Sequence, residues 1–299
     1  MSHHRVPWSG IVAVLFAMSG VAQTAAPTLE KRSVTIAGVE RTYHLHVPRT
    51  SLEGRPAPLV LAFHGRGVYG TGPVFAERSG FNVWADKKGF LVVYPDGVER
   101  KWLDGGLRKD PRYVKDIEFV EAMIDDVGRR HPVDPKRVYA AGFSNGAAFS
   151  YELGVRLAHR IAAVACVGAN MSRDTMKEMT AKQEPVSLIQ FCGSNDAFCG
   201  RPVLAFDYLI SYGENRDAWI QHDGCDREGK KISLPVPEAS TALPPATVWS
   251  HCQNGTEVAL VWLEGAVHGW PIPLGRDAGS GTFNPASVIW EFFERHPKR

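Results

Sequence analysis

Several things are scarce in this sequence, and each scarcity narrows what the chain does. Cysteine is rare: there are five among 299 residues, and none form a paired C-x-x-C motif. The histidines are scattered as well, so a zinc site has no donor set and no metal is expected. Charge of one sign is not in excess either. The formal net charge is +2, and no Lys/Arg block is dense enough to cover a nucleic-acid backbone. The run Arg227 to Lys231 mixes signs, as a solvated loop does. Past residue 22 no apolar stretch approaches the length a bilayer requires. No internal repeat, low-complexity tract or composition shift marks a second domain. What remains is a globular composition, 44% hydrophobic, long enough to bury a large core.

The first residues are set apart from that core. His3, His4 and Arg5 precede the apolar run Ile11 to Met18, and Gly20 and Ala22 fall at −3 and −1 of a cleavage site. Residues 1–22 therefore read as a secretory signal peptide, leaving 23–299 as a single domain that is secreted or periplasmic. No cysteine lies near the cut, which argues against a lipid anchor. Export permits disulfides. Cys225 and Cys252 bracket the Pro-rich stretch from Leu234 to Pro245, and a bridge closing it would stabilise by roughly 3–4 kcal/mol on the chain-entropy estimate. Cys192 and Cys199 flank Asp196, where a bridge is worth about 2–3 kcal/mol on the same estimate. Cys166, in an apolar strand pattern, is left as a buried thiol.

Val34 to Ile36 and Tyr43 to Val47 alternate around Gly38 and predict an antiparallel hairpin. Pro58 to Phe63 is a continuous apolar run stopped at His64-Gly65, the pattern of a strand covered on both faces. Residues 74–88 read as a helix, Phe90 to Tyr94 as a strand and residues 98–115 as a long loop. Ile117, Val120, Ile124 and Val127 recur at helical spacing over 117–130. Further strands are expected at Ile161 to Val167, Pro185 to Phe191 and Val258 to Leu263, with helices over 204–221 and Ala286 to Arg295. Strands alternating with helices predict an α/β fold with a mostly parallel sheet covered on both faces. On such a sheet ligands bind beyond the carboxyl ends of the strands.

One pentapeptide carries the chemistry. Gly142-Phe143-Ser144-Asn145-Gly146 follows the strand pattern Arg137 to Ala141 and opens the helix pattern from Ala147. That strand–turn–helix setting is what a G-x-S-x-G nucleophile elbow requires. A serine hydroxyl needs a base, and His268 in Gly265 to Pro271 follows the last strand. The base needs a carboxylate to orient it. Asp196 follows the strand after the elbow and gives the chain order Ser, Asp, His. Asp207 and Asp217 fall on a helix, and Asp223 and Asp226 lie beside Cys225. An oxyanion needs fixed N–H donors: that of Asn145, and that of Arg66, or else of Gly67, in the turn His64 to Gly67. Trp270 and Trp102 either wall the substrate or belong to the core, with His64 beside them or serving structure alone. Asp116 either pins the 98–115 loop or caps the following helix. Lys101, Arg108, Lys109 and Arg112 make that loop basic, for solubility or for an anionic substrate.

At these residues the chain resembles the polyhydroxybutyrate depolymerase-like and feruloyl-esterase-type branch of the α/β-hydrolases. The resemblance runs from about Val34 to the C-terminus. It rests on Leu61 to Gly65, Val93 to Gly97, Asp116 to Val120, Tyr139 to Ala147 and His268-Gly269-Trp270-Pro271, with Trp219 before Cys225 and Cys252 before the last strand. It implies a secreted or periplasmic serine esterase that uses no cofactor, with Ser144, Asp196 and His268 as its triad. Two positions depart from that group: Arg66 follows the His-Gly pair, and Cys192 stands where the acid loop usually has histidine. No separate binding domain and linker, as dedicated polymer depolymerases often carry, is seen. The expected substrate is therefore a feruloyl or acetyl ester of plant polysaccharide, or a short hydroxyalkanoate ester. The alternatives are a non-catalytic carbohydrate-binding protein on the same fold and a peptidase using the same triad.

Overall fold

The computed structural model describes residues 29–50, 54–67, 70–102, 115–179, 183–199, 208–234, 246–270, 272–273 and 282–299. The chain opens on β1 (Glu30–Ile36) and β2 (Val39–His46), paired antiparallel through the turn at Ala37-Gly38. β3 (Ala57–Phe63) follows, then α1 (Gly72–Ser79), α2 (Phe81–Lys88) and β4 (Leu91–Pro95). After α3 (Asp116–Arg130) come β5 (Val133–Phe143), α4 (Asn145–Arg156), β6 (Ala163–Val167), α5 (Arg173–Glu178) and β7 (Ser187–Gly193). The rest is α6 (Tyr212–Asp223), β8 (Lys230–Ile232), β9 (Ala246–Trp249), β10 (Val258–Leu263), the short pair β11 (Ile272–Pro273) and β12 (Thr282–Phe283), and α7 (Ala286–Arg295).

The main sheet has 10 strands in the order β1-β2-β4-β3-β5-β6-β7-β10-β9-β8. From β4 through β10 the neighbours run parallel. The antiparallel pairs sit at the two edges, β1 and β2 at one and β8 and β9 at the other. All of β3 is buried, and its side chains alternate between two cores, as a period of two requires. Leu59, Leu61 and Phe63 join one core with Phe119, Met123, Phe149 and Trp219 of the helices α3, α4 and α6. Val60 and Ala62 join the other, with Phe75, Phe81, Trp290 and Phe293 of α1, α2 and α7.

The helix expected over 74–88 is broken at Gly80, which takes φ 81 and separates α1 from α2. The helix expected over 204–221 begins only at Tyr212, behind a capping box of Ser211 and Glu214. Residues 200–207, Asp207 among them, lie outside the described set, as do the proposed signal peptide, Arg108, Lys109, Arg112 and most of the Pro-rich stretch. The strand pair β8 and β9 was not expected. It has few residues and an exposed outer strand, so it carries little hydrophobic pattern. Among the described residues, no helix is long and apolar enough to cross a membrane.

Candidate active site

The carboxyl ends of β5, β7 and β10 lie at one rim of the sheet, with β6 between the first two. Phe143 pairs with Val167, Val167 with Phe191 and Phe191 with Val261. The turns that leave these strands carry Ser144, Asp196 and His268. Ser144 adopts φ 54 and ψ −119 between the last residue of β5 and the first of α4. A non-glycine residue there stores strain on the order of 1–3 kcal/mol, and the flanking glycines show what holds it. A Cβ on Gly142 would lie 2.1 Å from the Gly146 carbonyl oxygen, and one on Gly146 would lie 2.3 Å from that of Phe63. No other residue fits at either place, so the elbow is wedged against the end of β3.

The Ser144 hydroxyl oxygen lies 3.0 Å from Nε2 of His268. The other ring nitrogen, Nδ1, lies 2.9 Å from Oδ2 of Asp196. An ionised carboxylate only accepts, so Nδ1 carries the hydrogen and Nε2 is left to accept from the hydroxyl. Oδ1 of Asp196 accepts the Phe198 N–H at 2.8 Å. The carboxylate is buried, at 3% exposure, while the imidazole keeps 28%. One face of the imidazole meets Phe143 at a centroid distance of 4.8 Å, and Phe198 packs on it at 4.5 Å. Gly168, at φ 70, closes the space beneath: a Cβ there would come within 3.1 Å of Asp196 Oδ2 and 3.2 Å of His268 Nδ1. Chemically, such an arrangement can activate a hydroxyl through a base whose tautomer is set by a buried acid.

The sequence pattern of the Esterase PHB depolymerase family matches residues 41–207. The chain belongs to that family. It is a carboxylic ester hydrolase, and its fold is that of the α/β-hydrolases. The esterase is 28% identical over 282 residues to a putative esterase, NocK, of Nocardia uniformis subsp. tsuyamanensis, with 88% of this chain and 78% of that one covered. It is 29% identical to the bifunctional acetylxylan esterase/xylanase XynS20E of Neocallimastix patriciarum over 77% of this chain. It is 25% identical to feruloyl esterase B of Piromyces equi over 72% of this chain. The matches span 31% and 40% of those two longer proteins. Among solved structures, the acetyl xylan esterase from Aspergillus awamori superposes with a TM-score of 0.61 at 15% identity, covering 88% of this chain and 99% of that one.

The expected oxyanion donors lie near Ser144. Asn145 begins α4, where the first N–H groups have no intrahelical acceptor, and Arg66 is exposed in the turn after Gly65. A Cβ on Gly65 would lie 3.3 Å from the Ser144 Cβ, so this turn borders Ser144.

The three residues expected to face substrate are buried instead. Trp102 is fully buried between Phe63 and Phe149, with ring centroids 5.2 and 5.3 Å away. Its indole N–H donates to the His64 carbonyl at 2.9 Å, and its backbone N–H donates to the Asn145 side-chain oxygen at 2.8 Å. It braces the elbow from within. Trp270 is 5% exposed and packs edge-on against Phe75. Its N–H donates to the Ser79 carbonyl at 3.1 Å, which ties the His268 loop to α1. His64 accepts the Gly97 N–H at Nε2 and donates from Nδ1 to the Gly65 carbonyl. Its burial lowers its pKa to about 4, against the raising pull of Gly65 and Asp96, so it is a neutral structural residue.

Both expected disulfides are present, Cys192–Cys199 and Cys225–Cys252, and Cys166 is a buried free thiol. Asp116 opens α3 and pairs with Arg41 at 2.7 Å, both side chains buried. Of the other carboxylates weighed, Asp217 pairs with Arg216, Asp223 is buried beside His222, and Asp226 pairs with His251. Lys101 pairs with Glu99 at 3.5 Å. Among the described residues no cluster of His, Cys, Asp and Glu suits a metal ion. Phe143, Phe198 and Gly168 were not singled out from the sequence. Phe198 alone had a cue, its place between the acid and Cys199.

Proposed function

We infer that the esterase is a serine hydrolase that works through an acyl-enzyme on Ser144. His268 Nε2 takes the hydroxyl proton as Oγ attacks the ester carbonyl. The imidazolium that forms is stabilised by Asp196 and gives its proton to the departing alcohol. Water then enters, His268 takes its proton, and the acid leaves as Ser144 recovers its own. The N–H groups of Asn145 and Arg66 stabilise the oxyanion in both halves. The observation that carries the reading is the imidazole set within hydrogen-bond reach of both Ser144 and Asp196, at 3.0 and 2.9 Å.

The substrate is a feruloyl or acetyl ester on plant polysaccharide, or a short hydroxyalkanoate ester. What supports the sugar-ester reading is the similarity to an acetylxylan esterase/xylanase and to feruloyl esterases across most of the chain. A match at 32% identity to a poly(3-hydroxyalkanoate) depolymerase of Paucimonas lemoignei covers 34% of the chain. Residues 1–22 direct export, which agrees with paired cysteines. The test is Ser144→Ala against p-nitrophenyl acetate, methyl ferulate, acetylated xylan and hydroxybutyrate oligomers. The variant should fold and lose several orders of magnitude in kcat, roughly 10⁴-fold or more. Retained turnover would overturn the assignment, and turnover of peptide anilides above all esters would make it a peptidase.

A further inference from the structure

The loop that carries Asp196 is a small closed ring. Cys192 ends β7 one residue before its last, and a disulfide joins it to Cys199 at a sequence separation of 7. Asp196 lies inside. Its own N–H donates to the Gly193 carbonyl at 3.0 Å, and the Phe198 N–H donates to Oδ1 at 2.8 Å. The two carboxylate oxygens are thus divided. Oδ1 is held by the ring, and Oδ2 is offered to His268.

The first half of the ring is stitched to the loop that bears His268. The N–H of Ser194 donates to the Leu263 carbonyl and that of Asn195 to the Ala266 carbonyl, each at 3.0 Å. The Ser194 hydroxyl accepts from Gly265 N–H and donates to Glu264, both at 2.8 Å. In the second half the Cys199 N–H donates to the Asp196 carbonyl at 3.4 Å and Asn170 Nδ2 reaches the Cys199 carbonyl at 3.5 Å, and the bridge to Cys192 is the covalent tie. This half supplies two contacts to the acid–base pair: the Phe198 N–H on Oδ1 and the Phe198 ring on the imidazole.

We propose that the Cys192–Cys199 disulfide, acting through Phe198, is a positioning element of catalysis that holds the carboxylate torsion of Asp196 and the ring plane of His268. The inference rests on the triad reading above. Opening the ring removes the covalent restraint on residues 197–199, and with it part of what holds the donor to Oδ1. The carboxylate then rotates, and the imidazole loses both its orientation and part of the stabilisation of its charged form. Displacements of that kind cost on the order of 10- to 100-fold in rate without abolishing binding.

The test is the double variant Cys192→Ala/Cys199→Ala, made in the full chain and also in an Asp196→Ala background. In the native background kcat should fall roughly 10- to 100-fold with KM changed much less. The acid limb of the kcat/KM profile should move to lower pH, because an imidazolium with a weaker anionic partner gives up its proton more readily. In the Asp196→Ala background removing the bridge should cost almost nothing further, since both changes act on one interaction. Equal losses in the two backgrounds, or a native-like kcat and pH profile, would overturn the proposal. Phe198→Ala keeps the bridge and guards against a double variant that does not fold. It should lower kcat several-fold and shift the same limb, and an unchanged profile would count against the proposal. An Asp196→Ala enzyme at full rate sinks the triad reading and this inference together. A crippled Asp196→Ala enzyme beside an unimpaired bridge-less one sinks this inference alone.

Discussion

Mild acid should loosen the segment behind the nucleophile, and His64 is the reason. This histidine is 1% exposed and joins the end of β3 to the turn after β4 by accepting the Gly97 N–H at 3.0 Å. A proton on Nε2 would set donor against donor. Burial has lowered its pKa from 6.5 to about 4. The unfolded chain therefore binds a proton near pH 6.5 that the folded chain refuses until about pH 4. Between those values unfolding takes up protons, so stability is full above the upper value and falls as pH drops through the window. The slope is at most one proton, about 1.4 kcal/mol per pH unit, which sums to roughly 2 kcal/mol by about pH 5. The assay is urea unfolding at a series of pH values for the native chain and for His64→Asn, which cannot titrate. His296, also lowered to about 4 by burial, is common to both proteins and cancels in the difference. The variant starts less stable near neutral pH, and the gap should close by about 2 kcal/mol towards pH 5. Two parallel curves would refute the argument, as would a His64 resonance titrating near its unperturbed value.

Other perturbations test the remaining supports of the site. Gly168→Ala should cost about 1–2 kcal/mol for its positive φ and lower kcat on the order of 10-fold, because the new methyl meets Asp196 and His268 at 3.1 and 3.2 Å. Melting temperature and steady-state kinetics separate the two effects. Trp270→Phe removes the bond to the Ser79 carbonyl and should cost about 1 kcal/mol, whereas Trp270→Ala should cost about 3–5 kcal/mol, both read by urea unfolding. Asp116→Ala leaves the Arg41 guanidinium without its buried partner and should cost about 3 kcal/mol or more by the same measurement.

The parts of the molecule that were legible in the sequence are those where a local pattern meets a local cause. The unbroken apolar run of β3 is buried on both faces, and the elbow around Ser144 needs glycine at 142 and 146 because backbone closes on both. His268 and Asp196 were found by their places after strands, since an α/β sheet puts strand ends at one rim. The sequence leaves the tryptophans open between core and substrate wall, because a large aromatic residue in a loop gives no sign of which way it turns. Trp102 and Trp270 turn inward, where their N–H groups find the His64 and Ser79 carbonyls, acceptors distant in the chain. The break at Gly80 was hidden because the residues on either side are all compatible with one helix. It shows only where Asn284 crowds the glycine, its Nδ2 lying 2.6 Å from where a Cβ would stand. Phe198 has no periodicity to betray it. Its role comes from the closed ring around Asp196 and from the approach of His268 from another strand.

The central claim is that Ser144 is made nucleophilic by its contact with His268. A fluorophosphonate probe followed by peptide mass spectrometry tests it most directly. The account predicts one adduct per chain, on the peptide bearing Ser144, absent in Ser144→Ala and formed far more slowly in His268→Ala. An adduct on another residue, or labelling of Ser144 at an undiminished rate without the imidazole, would contradict it.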